Sequence, residues 1–449
     1  MTRNFDVAIL GGGNAGIGVT VATSEAGLKV AMVEPGLLGG TCPNRGCMPK
    51  KVLVAAAHAL DEIARAGTHH IAVGKPVLDW AALIDREKAM ISAIPGSLEG
   101  LMQRRGVEIL RGRGRFVGPN AVAAGDGTLE AKHIVIATGS KPRHLPFPGA
   151  ALMITSDDVL SERELPGEIV FVGGGVIALE FSHVYARAGA KVTILEMLPR
   201  LLGNMDADAV AQLRQTTERI GVTVHTGVAV RRIERAAGHL RVVYEEDGAE
   251  RSLTADRVVN GAGRIADIDG LDLAAGNVRV ADGQIALDQY LRSTSNPAVY
   301  VCGDAVATTP QLSPIATYQG RLVGRNIVEG PRHAPDYAGI PACVFTVPAL
   351  ASVGLTQAAA EAQGLDLRVE VNDLHEWLSG RTYAETAAWA KVLIDRSTDQ
   401  ILGAHILGHT GEELIHIFAL AIKHGITAGA IRDQVYGFPT FSADIKSML

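Results

Sequence analysis

Residues 5–34 read FDVAILGGGNAGIGVTVATSEAGLKVAMVE. The apolar run Phe5–Leu10, broken only by Asp6, predicts a strand. Gly11, Gly13 and Gly16 follow and open a helix, and a second strand closes on Glu34, 18 positions past Gly16. This is the strand–turn–helix–strand unit that binds a dinucleotide. Gly11 permits the tight turn, Gly13 lets the backbone approach a pyrophosphate, and Gly16 lets helix and strand pack closely. The phosphates then sit at the positive end of the helix. The glycine spacing alone is a weak signal; strand, helix and carboxylate in register make it a specific one.

The pattern recurs. EIVFVG (168–173) leads into Gly173, Gly175 and Ala178, and KVTILE ends on Glu196, again 18 positions past the third small residue. Ala178 is tolerated where the fingerprint has its third glycine, because a methyl still permits close packing. A carboxylate at Glu196 accepts hydrogen bonds from ribose hydroxyls and repels a 2′-phosphate, so NAD(H) is favoured over NADP(H), with Arg200 nearby weakening the preference. Between and after the fingerprints lie three apolar strands closed by glycine turns, IVIATGSKPR (134–143), VVNGAGR (258–264) and AVYVCGDA (298–305). Beyond about residue 336 the candidate strands CVFTVP, RVEVND, AAWAKVLIDR and QILGAHILG accompany the helical stretch EELIHIFALAIKHGI, without a glycine fingerprint. That texture is an α+β module suited to packing against a second subunit.

Bulk composition agrees with an enzyme. The chain has 449 residues, enough for roughly three domains, and its 47% hydrophobic and 20% charged residues provide for a large core. Its 51 glycines exceed ordinary usage, as nucleotide-binding loops require. A net charge of −6 offers no basic face to nucleic acid. No apolar span reaches the ~20 residues of a membrane helix, and the N-terminal apolar stretch reads as a strand rather than a signal peptide. The expected location is the cytoplasm.

Four cysteines are too few for a disulfide scaffold in a chain of this length. Two of them, Cys42 and Cys47, stand close behind Glu34 in GGTCPNRGCMPKK (39–51). A distorted helix start can bring them within disulfide range, and a helix N-terminus favours the reactive thiolate. The alternatives are two inert thiols or half of a zinc site, but Cys302 and Cys343 stand alone without further ligands nearby. No metal site is expected.

GGGNAG, GGTCPNRGCMPKK, IATGS, VGGGVIALE, GAGR and VYVCGDA, in that order, resemble the two-dinucleotide flavoprotein disulfide reductases. That family includes glutathione reductase, lipoamide dehydrogenase and mercuric reductase, and the resemblance spans essentially the whole chain. It implies an α/β fold with two Rossmann-like domains, for FAD and NAD, and a C-terminal α+β dimerisation domain. The expected boundaries are 1–147 and 265–335 for FAD binding, 148–264 for NAD(P)H binding and 336–449 for dimerisation. It places FAD on Gly11, Gly13, Gly16 and Glu34, with Thr41, Thr138, Gly139, Gly303 and Asp304 as further cofactor positions, Asp304 at the ribityl chain. NAD(H) falls on Gly173, Gly175 and Glu196. By the same matching Cys47 is the flavin-side, charge-transfer thiolate and Cys42 the outer thiol that meets a small-molecule substrate. Lys51 matches the lysine near flavin N5, and Glu180 the carboxylate paired with it. A homodimer is implied, each active site completed by the partner's C-terminal segment.

That segment departs from the family. Disulfide-reducing members read His-Pro-Thr-x-x-Glu, whereas this chain reads GFPTFSAD (437–444), with Phe438 for the His and Ala443 for the Glu. His405, His409, His416 and His424 are the other candidate acids, each expected at the surface or capping a turn. Three functions are compatible with the change. The first is an NAD(P)H-dependent reductase of an acceptor, such as a metal ion or quinone, that needs no acid at the outer sulfur. The second resembles ketopropyl-coenzyme M carboxylase, which also carries Phe there and protects a carbanion from protons. The third is a redox sensor with little turnover. A conventional lipoamide or glutathione reductase is the remaining alternative.

Overall fold

A computed structural model describes residues 1–449, which divide into two units. The first comprises Met1–Lys50, Asp85–Arg143 and Arg264–Asp336. At its centre the strand Thr2–Leu10 pairs in parallel with Val30–Glu34 on one side and Gly127–Ile136 on the other. Glu108–Arg111 extends the sheet beyond Val30–Glu34, and Val299–Val301 adds in parallel to the end of Gly127–Ile136. Val7, Ala8 and Ile9 are fully buried, as are Ile134, Val135 and Ile136, which is why these strands lack a polar alternation. An antiparallel hairpin, Gly114–Gly118 with Ala121–Ala124, closes the far edge. That hairpin has too short and mixed a pattern to stand out in the sequence.

Two helices of this unit, Asn14–Glu25 and Ser313–Glu329, pack backbone to backbone. A Cβ added at Gly320 would lie 2.2 Å from the carbonyl oxygen of Ala15, and one at Gly324 would lie 2.6 Å from Cβ of Ala22. Only glycine fits at either position.

The second unit comprises Lys51–Ile84, His144–Gly263 and Tyr337–Leu449. It holds a parallel sheet ordered Thr223–Thr226, Lys191–Glu196, Glu168–Val172, Arg257–Asn260, and a three-stranded antiparallel sheet over 229–255. It also holds a five-stranded antiparallel sheet ordered Ala342–Val344, Ala349–Gly354, Ile401–Gly408, Trp389–Asp395, Leu367–Asp373, covered by the helix Gly411–His424. Ala349–Gly354 lies outside the candidate strands read from the sequence, because its Ala, Ser and Gly carry little strand propensity.

A buried charge cluster joins the last sheet to the helix Ala207–Arg219. Lys391 Nζ lies 3.3 Å from Asp206 Oδ1 and 2.7 Å from Asp208 Oδ2, and Asp206 also caps that helix. Lys391 and Asp206 are both about 2% exposed, so removing one alone strands a buried charge at a cost of about 3–5 kcal/mol. No helix is long and apolar enough to cross a membrane.

Candidate active site

Both fingerprints fold as read. In the first, Gly11 has φ +112°, and a Cβ there would sit 2.2 Å from the carbonyl oxygen of Ala137. A Cβ on Gly16 would sit 2.0 Å from that of Gly11. Gly13 has open space instead, its nearest neighbour being Gly40 Cα at 3.7 Å. Glu34 folds back over the turn, accepting from the backbone N–H of Gly12 and Gly36, each at 2.7 Å. The second cradle repeats this. Gly173 has φ +102°, and Glu196 accepts from the N–H of Gly174 and, at 2.6 Å, of Leu198.

Neither cradle helix is capped by a side chain, and neither carries an acidic residue in its first turn. Elsewhere in the chain Asp206, Thr356, Thr427 and Thr440 cap helices. Free N–H groups behind a glycine turn are what a pyrophosphate requires. Thr138 adds a buried hydroxyl without a protein partner beside the first cradle, and Gly139 turns the chain there at φ +73°. These residues fit a dinucleotide in both places.

Asp304 is partly buried, accepts from Ser140 Oγ at 2.9 Å, and has its carboxyl pushed above the usual range by burial. Gly303, at φ +71°, donates its N–H to Gln319 Oε1 at 2.7 Å, which fixes the end of the strand from which Asp304 projects. Arg200 donates to the carbonyls of Met205, at 2.9 Å, and Gly203, at 2.5 Å. It is therefore engaged within its own loop.

The cysteines occupy two successive helix starts. Thr41–Arg45 forms a short helix, the chain breaks at Gly46, and Cys47 begins the helix Cys47–Arg65. A Cβ at Gly46 would lie 2.9 Å from the carbonyl oxygen of Thr41, so the break requires glycine and brings two thiols five residues apart together. Asn44 fastens the turn through Nδ2 to the carbonyls of Leu38 (3.0 Å) and Gly40 (2.9 Å). No disulfide joins the two sulfurs; Cys42 is partly buried and Cys47 exposed. The hydrogen bond between them lowers the Cys42 thiol to about 6, helped by hydrogen bonds from Ser313 and Asn14 and by the charge of Lys50, against the opposing effect of burial. Cys302, by contrast, is fully buried, and its thiol is pushed up to about 12. One cysteine is prepared for chemistry and the other is not.

Lys51 corrects an expectation. Its ammonium meets Glu412 at 3.6 Å and lies 4.0 Å over the Phe345 ring, rather than pairing with Glu180. Glu180 is buried and accepts the N–H of Phe345 at 2.8 Å. Lys51 remains half exposed, and the buried member of the doublet is Lys50, whose charge reaches Cys42. Adjacent residues on one helix are about 100° apart, so only packing reveals which lysine faces inward.

Phe438 is 78% exposed and Ala443 is buried. His405 is also a correction: it is not at the surface but 1% exposed, bonded to Ser352 Oγ at 3.1 Å and the carbonyl of Leu355 at 3.2 Å. His409 lies 3.6 Å from the buried carboxylate of Glu385, with its ring against Tyr383 and Phe441.

Comparison with known proteins decides the family. Residues 5–320 match the pyridine nucleotide-disulphide oxidoreductases, and residues 340–449 match the dimerisation domain of the same group. The chain belongs to that family. Within it, the chain is 32% identical to dihydrolipoyl dehydrogenase of Chlorobaculum tepidum, covering 99% of this chain and 96% of that one. It is also 32% identical to glutathione reductase of Burkholderia cepacia, over 99% and 98% of the two chains. Among solved structures it resembles the Cu(II) complex of the HOCl-induced flavoprotein disulfide reductase RclA from Escherichia coli. The TM-score is 0.89 with 25% identity, over 99% of both chains. As a pyridine nucleotide-disulphide oxidoreductase the chain is a flavin-dependent enzyme that uses FAD and a pyridine nucleotide, and its dimerisation domain implies a homodimer.

Proposed function

We propose that this oxidoreductase takes electrons from NADH and delivers them, through Cys42 and Cys47, to an acceptor that needs no proton from the C-terminal segment. A cytoplasmic setting belongs to the same reading. The observation that carries it is the contrast between a prepared thiol at Cys42 and an apolar, exposed Phe438 with Ala443 behind it. FAD, when bound, supplies the two-electron junction between a reduced nicotinamide and the dithiol. Gly11, Gly13 and Gly16 would leave room for its pyrophosphate, Glu34 would take the ribose hydroxyls, and Asp304 the ribityl hydroxyls. Glu196 would do the same for the ribose of NADH, and its negative charge opposes a 2′-phosphate. Cys42 presents a thiolate to the acceptor, and Cys47 closes the disulfide behind it. Lys50, rather than Lys51, supplies the buried positive charge that favours the anionic sulfur.

Phe438 cannot donate or accept a proton, so a leaving thiolate at the outer sulfur goes unprotonated by that residue. General acid–base help is typically worth about 10²–10⁴ in rate, and small disulfides should therefore turn over slowly. The similar proteins are dehydrogenases and reductases, which gives carboxylation no support.

A second reading, a conventional disulfide reductase, is favoured by His409. A half-exposed imidazole beside a buried carboxylate is how a general acid is built, and this one packs on Phe441. One experiment separates the two. The protein is reduced anaerobically with NADH and offered lipoamide, glutathione disulfide, Cu(II) and a quinone, with His409→Ala run in parallel. The first reading expects fast loss of NADH absorbance only with the last two acceptors and no effect of His409→Ala. Fast lipoamide or glutathione turnover that collapses in His409→Ala establishes the second.

A further inference from the structure

Ser140 of IATGS and Arg264 of GAGR close two glycine turns 124 positions apart. The fold joins them in a two-stranded antiparallel ribbon, Ser140–Pro142 with Arg264–Ala266, in which Ala266 stands opposite Ser140 and Arg264 opposite Pro142. Lys141, on the same ribbon, meets Asp267 at 3.4 Å and also pairs with Asp269, which ties the two strands a second time. Arg264 donates twice to Ser140, from Nε to Oγ at 2.9 Å and from Nη2 to the carbonyl oxygen at 2.6 Å. Ser140 Oγ in turn donates to Asp304 Oδ2 at 2.9 Å. The backbone of Asp304 is held from the other side. Gly303 donates to the buried Gln319, which itself donates to Thr309 Oγ1 at 3.2 Å. A Cβ on Gly303 would lie 2.9 Å from Cβ of Ala15, so this turn lies against the first cradle helix.

What each group can do sets the direction of this chain. A guanidinium only donates, and a serine hydroxyl has one proton to give. With Arg264 donating into Oγ, the Ser140 proton goes to Asp304 Oδ2. A proton on Oδ2 would compete with it, so the arrangement favours an ionised carboxylate at that oxygen. Burial opposes the charge on Asp304, while the Ser140 bond and the charge of Arg264 support it. Bonds to an ionised acceptor are the stronger kind, and bonds in a chain reinforce one another. The paired contact of Arg264 with Oγ and the carbonyl needs a planar fork, which the compact ammonium of lysine does not offer. Oδ2 is thus occupied, and Oδ1 is the oxygen that remains to accept from a hydroxyl.

We propose that Arg264 is a positioning residue for flavin binding, acting through Ser140 to hold Asp304 with Oδ1 available to the ribityl hydroxyls. Arg264 then governs FAD retention only while Asp304 is there to be positioned. The inference rests on the reading of Asp304 as the ribityl ligand and not on any particular acceptor.

The test is a double-mutant cycle on FAD release from the purified holoenzyme, followed after dilution by the rise of free-flavin fluorescence. Ser140→Ala and Arg264→Met should each release FAD about tenfold faster than wild type, as loss of a bond to a charged group implies. Arg264→Lys should lie close to Arg264→Met, and Ser140→Thr, which keeps the hydroxyl, close to wild type. In an Asp304→Asn background Arg264→Met should add less than about twofold, because residues acting as one unit are not additive. A wild-type rate in Arg264→Met, the same cost of that change in both backgrounds, or Ser140→Thr behaving like Ser140→Ala overturns the positioning role and leaves the ribityl reading in place. Asp304→Asn releasing FAD at the wild-type rate sinks the ribityl reading itself, and the positioning role with it. Should Arg264→Met fail to fold, Ser140→Ala in the two Asp304 backgrounds decides the same question.

Discussion

The two nucleotide cradles share one backbone solution but place their small residues differently. In the first, the helix carries glycine, Gly16, and the end of the neighbouring strand carries Ala137. In the second, the helix carries Ala178 and the equivalent strand end carries Gly261, where an added Cβ would lie 3.0 Å from Cβ of Ala178. The need for a small residue is constant, but the side that supplies it has switched. A second difference lies in the loop behind each carboxylate. Glu34 leads into a glycine loop in which Gly39 donates to the carbonyl of Gly12 at 2.8 Å, and that loop delivers Cys42. Glu196 leads into the exposed Met197 and Leu198 and an arginine tied to its own loop. The first cradle runs directly into the loop that carries Cys42, whereas the second runs into a loop with no cysteine.

The largest effect is expected at Gly16. Gly16→Ala places a Cβ 2.0 Å from a backbone oxygen that cannot move aside. Overpacking of this kind costs about 1–3 kcal/mol. The purified variant should carry less than about a tenth of the wild-type flavin, read from absorbance near 450 nm. Full flavin loading would show that the first cradle tolerates what the second does.

Glu196 comes next. Hydrogen bonds to a charged group are worth about 1.5–3 kcal/mol, so Glu196→Ser should lower kcat/KM for NADH by about tenfold or more. Joined with Met197→Arg it should turn the preference towards NADPH, as steady-state kinetics with both coenzymes would reveal. A wild type that already prefers NADPH by a wide margin would discredit the ribose argument and return attention to Arg200.

The smallest effect is expected at Gly261. Gly261→Ala meets Ala178 at a distance its neighbours can relieve, so KM for NADH should rise about two- to fivefold with flavin content unchanged. Adding Ala178→Gly recreates the arrangement of the first cradle and should recover most of the loss. No recovery in the double variant would mean that the switched pair is coincidental.

How much of this was legible in the sequence depended on range. Both cradles, the two carboxylates and the cysteine spacing are local patterns, and each folds as read. Which lysine of the Lys50–Lys51 doublet turns inward depends on packing that has no local signature. The burial of His405 is another such case, although its place in the alternation of QILGAHILG offered a clue. The approach of Asn14 to Ser313 joins residues 299 positions apart. Ser313 did leave one signal, a Ser-Pro pair opening a helix, but nothing local says which helix its side chain meets.

The central claim is that the electron relay is intact and the proton relay is missing at residues 438 and 443. It is tested most directly by the double substitution Phe438→His with Ala443→Glu, assayed with NADH and lipoamide beside wild type. The expected result is a slow wild type whose flavin is nonetheless reduced rapidly by NADH in stopped flow, and a double variant whose lipoamide turnover rises by about tenfold or more. A wild type that turns over lipoamide as fast as NADH reduces its flavin, with no gain in the double variant, would contradict it.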